Sequence, residues 1–137
     1  MRPVLGCLGS GGGAQGVVTF ERAIYGGGAV LKVSGRLDTA AAEPLKEALL
    51  TAVSTSATAV ILDMSDVVDI NSAGFRSMTI AFRAAESANK TLAVAGLRPR
   101  VLEIFTISRF NLLFPAYGDA RDALKALAPE GLAAYDA

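Results

Sequence analysis

Histidine is absent from the 137 residues. An imidazole is the usual general base beside a serine or cysteine nucleophile and the commonest ligand of transition metals, so its absence argues against hydrolase triads and zinc sites. Cysteine occurs once, as Cys7, which excludes an internal disulfide framework and fits a reducing compartment. We therefore expect a cytoplasmic protein that is not an enzyme and binds no metal.

Long apolar runs and net charge are also missing. No stretch of eighteen apolar residues occurs, which argues against a transmembrane helix and direct membrane insertion. Basic and acidic residues balance at 13 each, and Arg98, Arg100 and Arg109 lack interleaved stacking aromatics, so no nucleic-acid partner is expected. Residues 11–16 match the dinucleotide-binding pattern GxGxxG only formally, because no strand is predicted before them. The P-loop pattern GxxxxGK[ST], which binds nucleotide phosphates, is absent from the sequence. We expect no cofactor.

The remaining composition is that of a compact globular protein. Apolar residues make up 52% of the chain and charged residues 19%, and the length suits about one domain. Residues 1–16 are glycine-rich and barely charged, which predicts a flexible tail. The folded domain is predicted over 17–127, and residues 128–137 are predicted to form a fraying C-terminal tail.

Alternating patterns predict one α/β domain with a mixed sheet and about four helices, in the order β-β-α-β-α-β-α-β-α. Two β-rich runs around the glycines at 26–28 predict a hairpin, and ATAVILDMS predicts a central strand. Thr39 is predicted to cap the first helix. Because Pro44 is tolerated only near a helix start, an irregular turn is expected before about Glu43. The next helix carries an apolar stripe that includes Phe75 and Met78.

Ser72 lies where the apolar strand ends and this helix begins, in the stretch VILDMSDVVDINSAGFRSM. A serine at this point can cap the helix or accept a phosphate, because a helix N-terminus carries partial positive charge. The residues alone leave both roles open. Asp63, Asp66 and Asp69 precede it in a predicted strand-to-helix loop, where carboxylates more often cap amides or face water than bind magnesium.

Three blocks of the chain resemble the STAS domain of bacterial anti-sigma factor antagonists. They are GRLD at 35–38, ILDMSDVVDINSAGFRSM, and RVLEIFTISRFNLLFPAYGDARDAL. The family pattern D-x-S, followed by [DN]-S-[SA]-G-[LF], matches Asp63 and Ser65 and then the run from Asn71 to Phe75. The resemblance makes Ser72 the phosphorylatable serine. Many members carry aspartate where this chain has Asn71.

The resemblance implies a partner-switching regulator of transcription. The unphosphorylated protein would bind an anti-sigma factor serine kinase, which itself binds ATP. Phosphorylation of Ser72 would end that complex, and a metal-dependent serine phosphatase would reset it. The expected docking face comprises Asp66, Asp69, Asn71, Ser72, Ala73, Gly74 and Arg76. The family also contains cytoplasmic subunits of membrane transporters, so an accessory role in anion or lipid transport is the alternative.

Overall fold

The strands of the sheet lie side by side in chain order. The computed structural model describes residues 4–11, 18–56 and 58–137. Its strands are β1 (Val4–Gly11), β2 (Val18–Tyr25), β3 (Gly28–Leu37), β4 (Ala59–Ile70), β5 (Thr91–Ala95) and β6 (Ala116–Tyr117). Its α-helices are α1 (Thr39–Thr55), α2 (Ser72–Ser87), α3 (Pro99–Ile107), α4 (Ala120–Leu127) and α5 (Leu132–Asp136). Two 3-10 turns span Phe110–Leu112 and Pro129–Gly131.

The sheet is mixed, which confirms the predicted fold class. β1, β2 and β3 pair antiparallel, whereas β3, β4, β5 and β6 pair parallel. The predicted hairpin joins β2 to β3 through Gly26 and Gly27, and Gly26 has a φ of +60°, which glycine adopts without strain. β4 has a neighbour on each side, so its predicted central position is confirmed.

Helices cover both faces of the sheet. The main core cluster places α1, α2 and α3 against one face, through side chains such as Leu45, Met78 and Phe105. A smaller cluster places α4 against the other face, where Leu124 packs with Val30 and Ile61. The predicted apolar stripe of α2 is confirmed, since Gly74, Phe75, Met78, Ala81 and Ala85 are buried. Ser72 thus begins a helix whose inner face is fixed by the main core.

The start of α1 differs from the prediction. Asp38 is the cap, and its Oδ1 accepts a hydrogen bond from the amide of Ala41 at 3.1 Å. Thr39 is the first residue of the helix, which continues through Pro44 without an irregular turn. Pro44 donates no hydrogen bond to the carbonyl of Ala40, and its ring crowds that carbonyl. Ala40 is exposed, so water can bond to the carbonyl oxygen instead.

Both predicted tails contain regular structure. Val4–Gly11 forms an edge strand, because the free edge of β2 offers backbone groups that can pair with almost any sequence. Residues 1–3 and 12–17 lie outside the described part of the chain. At the other end α5 packs back on the hairpin, where the rings of Tyr135 and Tyr25 meet edge to face at 5.1 Å. The amide of Gly27 donates to Oε1 of Glu130 at 3.2 Å.

Candidate functional site

The first turn of α2 is capped by Asn71. Its Oδ1 accepts hydrogen bonds from the amides of Ala73 at 3.0 Å and Gly74 at 3.2 Å. Ser72 is the first helical residue, and its exposed hydroxyl has no hydrogen-bond partner within the described residues. The interpretation of Ser72 as the cap is therefore wrong. Asparagine and serine are about equally good caps, so their order in the sequence could not decide between them.

The exposed hydroxyl of Ser72 is chemically available for modification. A phosphate there would lie at the positive end of the α2 dipole, which favours negative charge. Arg76 follows one turn later and is also exposed. Residues four apart share one side of a helix, so Ser72 and Arg76 face the same way. The structure thus places both side chains on one accessible surface.

Gly74 is packed in the interior of the protein. It is buried, and a Cβ atom there would lie 2.7 Å from the carbonyl oxygen of Leu37 and 3.0 Å from Cγ1 of Ile70. Gly74 belongs to the expected docking face, but the structure buries it, and its small size lets α2 approach the end of β3. Ala73 is partly exposed and lies beside the surface of Ser72.

The three aspartates lie on a strand. β4 runs without interruption to Ile70, so the predicted loop from Asp66 to Asn71 does not form. Two irregularities in its pairing with β3 let it continue: one lies between the pairs Lys32–Asp63 and Ser34–Asp66, and the other directly before Arg36–Asp69. Such bulges insert an unpaired residue and redirect the side chains that follow. The apolar pattern stops at about Met64, which is why the sequence suggested an earlier end.

Basic side chains lie within ion-pair distance of two of these carboxylates. Asp66 lies 3.4 Å from the ammonium of Lys32 and 3.7 Å from Nη2 of Arg98. Asp69 lies 3.5 Å from Nε of Arg100. The pKa of Lys32 is raised, chiefly by the charge of Asp66. All of these side chains are at least a third exposed, so the ion pairs are weak contacts of β4 with β3 and with the start of α3.

A shallow cleft lies beside Ser72, between the ends of β3 and β4 and the first turns of α1 and α2. Its volume is about 120 Å³, and its lining is Arg36, Leu37, Asp38, Asp69, Ile70 and Asn71. The caps of both helices therefore face one cleft. Nδ2 of Asn71 also lies 3.5 Å from the hydroxyl of Thr39. Sequence reasoning missed Arg36 and Asp38 as site residues, although the GRLD block that contains them was a signal.

A cluster of metal ligands and a membrane-spanning helix are both absent from the part of the chain that the structure describes. In these residues no group of three or more cysteine or acidic side chains is placed to hold a metal ion. No helix in the same residues has both the length and the apolar character needed to cross a membrane.

Comparison with known proteins identifies the family. Residues 21–115 match the family model described as Mlab, STAS domain. The chain belongs to the STAS domain family. A relative is BtrV of Bordetella bronchiseptica, which carries the provisional name anti-sigma factor antagonist and is 31% identical over 94 residues, covering 69% of this chain and 80% of BtrV. The resemblance described from the sequence is thereby confirmed.

Solved structures share the STAS fold. An anti-sigma factor antagonist from Mycobacterium paratuberculosis superposes with a TM-score of 0.73 at 24% identity, covering 80% of this chain and 93% of the other. The phosphorylated form of SpoIIAA, a Bacillus cell fate determinant, gives 0.60 at 17% identity, with 78% and 97% covered. A sulfate transporter family protein from Wolinella succinogenes gives 0.65 at 18% identity, with 73% and 84% covered. These similarities show the fold alone.

Proposed function

We propose that this STAS protein is an anti-sigma factor antagonist that works by partner switching. Unphosphorylated, it binds an anti-sigma factor serine kinase and frees the regulator that the kinase holds. The kinase transfers phosphate from its own ATP to Ser72, and the complex ends. A serine phosphatase removes the phosphate. The protein catalyses no step of this cycle and acts in the cytoplasm.

One observation carries the proposal: Asn71 caps α2, which leaves the hydroxyl of Ser72 exposed and without a hydrogen-bond partner among the residues that the structure describes. The Oγ atom of a serine that capped the helix would already be bonded to first-turn amides, so a phosphate on it would have to replace or share that bond. Here a phosphate can be added and removed without breaking a hydrogen bond of the fold. The site can therefore change its surface charge while the fold stays the same.

The phosphate acts through charge and volume on the docking face. It adds about −1.5 to −2 charge to an exposed position. A partner surface that packs closely around Ser72, Ala73 and Arg76 would have to bury that charge or be displaced by it. The helix dipole stabilises the phosphate within the free protein. Both effects favour the dissociated state.

A second candidate function is an accessory subunit of a membrane transporter. The Wolinella succinogenes neighbour is a sulfate transporter family protein, and the matching family model is described as Mlab, STAS domain. In that role the STAS surface would be a permanent contact, and the charge at Ser72 would not control assembly. The two functions therefore differ in their response to a charged residue at position 72.

The first experiment is phosphopeptide mapping of the purified protein after incubation with ATP and lysate from its own source. Ser72→Ala tests the site, and Ser87→Ala is the matched control, because Ser87 is an exposed serine near the other end of α2. We expect phosphate on Ser72 in the wild type and in Ser87→Ala, and none in Ser72→Ala.

Partner binding separates the two functions. We expect Ser72→Asp to lose the kinase recovered with wild-type protein, whereas Ser72→Ala retains it. Equal binding by Ser72→Asp and wild type, together with co-purification with a membrane transporter, would establish the accessory-subunit function instead. An unmodified Ser72 in a lysate that phosphorylates a control substrate would also argue against the switch.

A further inference from the structure

A second pocket lies on the face of the sheet opposite to α1, α2 and α3. Its volume is about 190 Å³, and its lining is Glu21, Ala23, Tyr25, Val30, Lys32, Asp63 and Tyr135. Val30 belongs to the core cluster that packs against α4, and the rings of Tyr25 and Tyr135 pack against the same cluster. The pocket shares no lining residue with the cleft beside Ser72. We call it the second-face pocket.

The register of the strands brings three charged side chains into one row across the sheet. Glu21 of β2 is paired with Lys32 of β3, and Lys32 is paired with Asp63 of β4. Paired residues on neighbouring strands point to the same face of a sheet. The row therefore places one lysine between two acidic residues, at one side of the second-face pocket.

The ammonium of Lys32 is already engaged by a third carboxylate. Its Nζ lies 3.4 Å from Oδ2 of Asp66, which also lies 3.7 Å from Nη2 of Arg98. The charges of Asp66, Asp63 and Glu21 all raise the pKa of Lys32, and that of Asp66 has the largest effect. Three carboxylates thus stand against two basic side chains, so the group keeps a net negative charge. Such a site attracts cations and repels anions.

Two tyrosine rings form another wall of the pocket. Tyr25 on β2 and Tyr135 on α5 are both half-buried, and their rings meet edge to face with centroids 5.1 Å apart and planes at 74°. The face of an aromatic ring carries partial negative charge and attracts an ammonium group within about 6 Å of its centre. Aromatic rings beside carboxylates are the combination that recognises organic ammonium groups.

The C-terminal segment holds Tyr135 in this position. The carboxylate of Glu130 accepts a hydrogen bond from the amide of Gly27 at 3.2 Å. The guanidinium of Arg121 donates from Nε and Nη2 to the two carboxylate oxygens of Asp136, at 3.1 Å and 3.2 Å. This segment lies beyond the residues that match the STAS family model. One wall of the pocket is therefore supplied by a part of the chain outside the matched domain.

We propose that the second-face pocket binds a small organic cation of the alkylammonium class. The ammonium group lies against the rings of Tyr25 and Tyr135, and the carboxylates of Glu21 and Asp63 balance its charge. This inference goes beyond the proposed function, because the pocket lies on the opposite face of the sheet from α2 and shares no residue with the switch site.

Size and charge narrow the class of ligand. The buried side chains of Ala23 and Val30 give the pocket an apolar floor for methyl groups. Its volume of about 190 Å³ is somewhat larger than the about 150 Å³ of a cavity that holds benzene, which suits a small molecule. A zwitterion would need a free cation for its carboxylate, but the ammonium of Lys32 is engaged by Asp66. A cation without a carboxylate fits best.

The test is a nuclear magnetic resonance titration of the isotope-labelled full chain with choline as the probe. Two related molecules are the comparison ligands: dimethylbutanol, a neutral alcohol of the same branched shape, and trimethylglycine, which adds a carboxylate to the same ammonium group. We expect choline to shift the amide resonances of β2 and β3 around Ala23 and Val30, with a dissociation constant on the order of 1 mM. Both comparison ligands should bind at least about fivefold more weakly.

Two charge variants should change choline binding in opposite directions. Asp63→Asn removes a carboxylate but keeps the oxygen that accepts the amide of Ser65, and it should weaken binding about fivefold. Lys32→Met removes the competing ammonium and should strengthen binding about threefold. Glu86→Gln is the matched control, because Glu86 is an exposed carboxylate on α2, and it should bind choline like the wild type.

Variants of Tyr135 test the contribution of the ring. Tyr135→Phe keeps an aromatic face and should bind choline within about twofold of the wild type, whereas Tyr135→Leu should lose about fivefold. Thermal unfolding checks that each variant is folded. Protection of the amide of Gly27 from hydrogen exchange shows that the C-terminal segment remains docked in Tyr135→Leu.

Three results would overturn the inference. Choline that shifts no resonance of β2 or β3 would show that the pocket binds no such cation. Equal binding of dimethylbutanol and choline would make it a purely apolar pocket. Tighter binding of trimethylglycine than of choline, weakened in Lys32→Met, would assign the pocket to a zwitterion. None of these results depends on whether Ser72 is phosphorylated, so the proposed function stands or falls separately.

Discussion

The side chain of Asn71, and not that of Ser72, caps α2. Two amides bond to its Oδ1, at 3.0 Å and 3.2 Å, and this satisfies donors that a helix start otherwise leaves to water. Asn71 makes the capping hydrogen bonds, and the hydroxyl of the adjacent Ser72 is exposed. A phosphate on Ser72 would therefore leave the capping hydrogen bonds of α2 in place. Asn71 is thus a supporting residue for the proposed switch.

This division predicts unequal stability effects at the two positions. Asn71→Ala removes the cap and should cost about 1 kcal/mol, within a range of about 0.5–2 kcal/mol. Ser72→Ala removes an exposed hydroxyl without a partner and should change the free energy of unfolding by less than about 0.5 kcal/mol. Urea denaturation measures both, and Asn71→Asp is the control, since aspartate caps equally well. A larger loss in Ser72→Ala than in Asn71→Ala would contradict the assignment.

Gly74→Ala should destabilise the protein by about 1–3 kcal/mol, because the new methyl group would overlap the carbonyl oxygen of Leu37. Helix propensity alone would give the opposite sign, since alanine is favoured over glycine inside a helix. Gly118→Ala is the matched control: its Cβ would meet only Asp122, at an ordinary 3.6 Å. Equal urea midpoints for the two variants would show that α2 has room at Gly74.

Gly131→Ala should release the C-terminal segment from the hairpin. A methyl group there would overlap the backbone of Tyr25, which cannot move without disturbing β2. We expect faster hydrogen exchange at the amide of Gly27, which is protected by Glu130, while amides in β4 and β5 stay protected. Unchanged exchange at Gly27 would mean that the segment remains docked.

The Lys32–Asp66 pair predicts a pH dependence of stability. The pKa of Lys32 is raised above its ordinary value of 10.5, mainly by the charge of Asp66. A lysine whose pKa is higher in the folded state than in the unfolded state stabilises the fold. The stabilisation is complete at pH values below the unfolded-state pKa, and it is lost as the pH rises through the folded-state pKa. Both side chains are more than a third exposed, so the effect is small.

The measurement for this pair is the urea midpoint from about pH 9 to about pH 12, in wild type and Lys32→Met. We expect the variant to lose less stability than the wild type across that interval. Lys125→Met, at an exposed position on α4, should follow the wild type. Parallel curves for wild type and Lys32→Met would show that the ion pair contributes nothing measurable.

Local sequence patterns predicted most of the fold because they reflect interactions between residues that are close in the sequence. The buried run of β4 and the apolar stripe of α2 reflect which faces meet the core, and the glycines at 26–28 reflect the turn. Pro99 at the start of α3 follows from its fixed φ angle and missing amide proton. These features depend on neighbours within a few residues, which the sequence contains.

Features that depend on distant partners were not predictable. Asp66 and Asp69 looked like loop carboxylates because their arginine partners lie some thirty residues further along the chain. The continuation of β4 depends on the backbone of β3, to which it is paired up to Ile70. The C-terminal segment contains no strong pattern of its own and is ordered by its contact with the hairpin.

The sequence by itself determined the α/β class, the order of the main elements and the place of Ser72 at a helix start, because periodicity and turn chemistry are local. Only the tertiary structure decided that Asn71 is the cap, that Gly74 faces inward, and that Phe110 packs against α2. Each of these depends on which side chains meet in space. The aromatic stack of Phe75 and Phe110 spans 35 positions of the sequence.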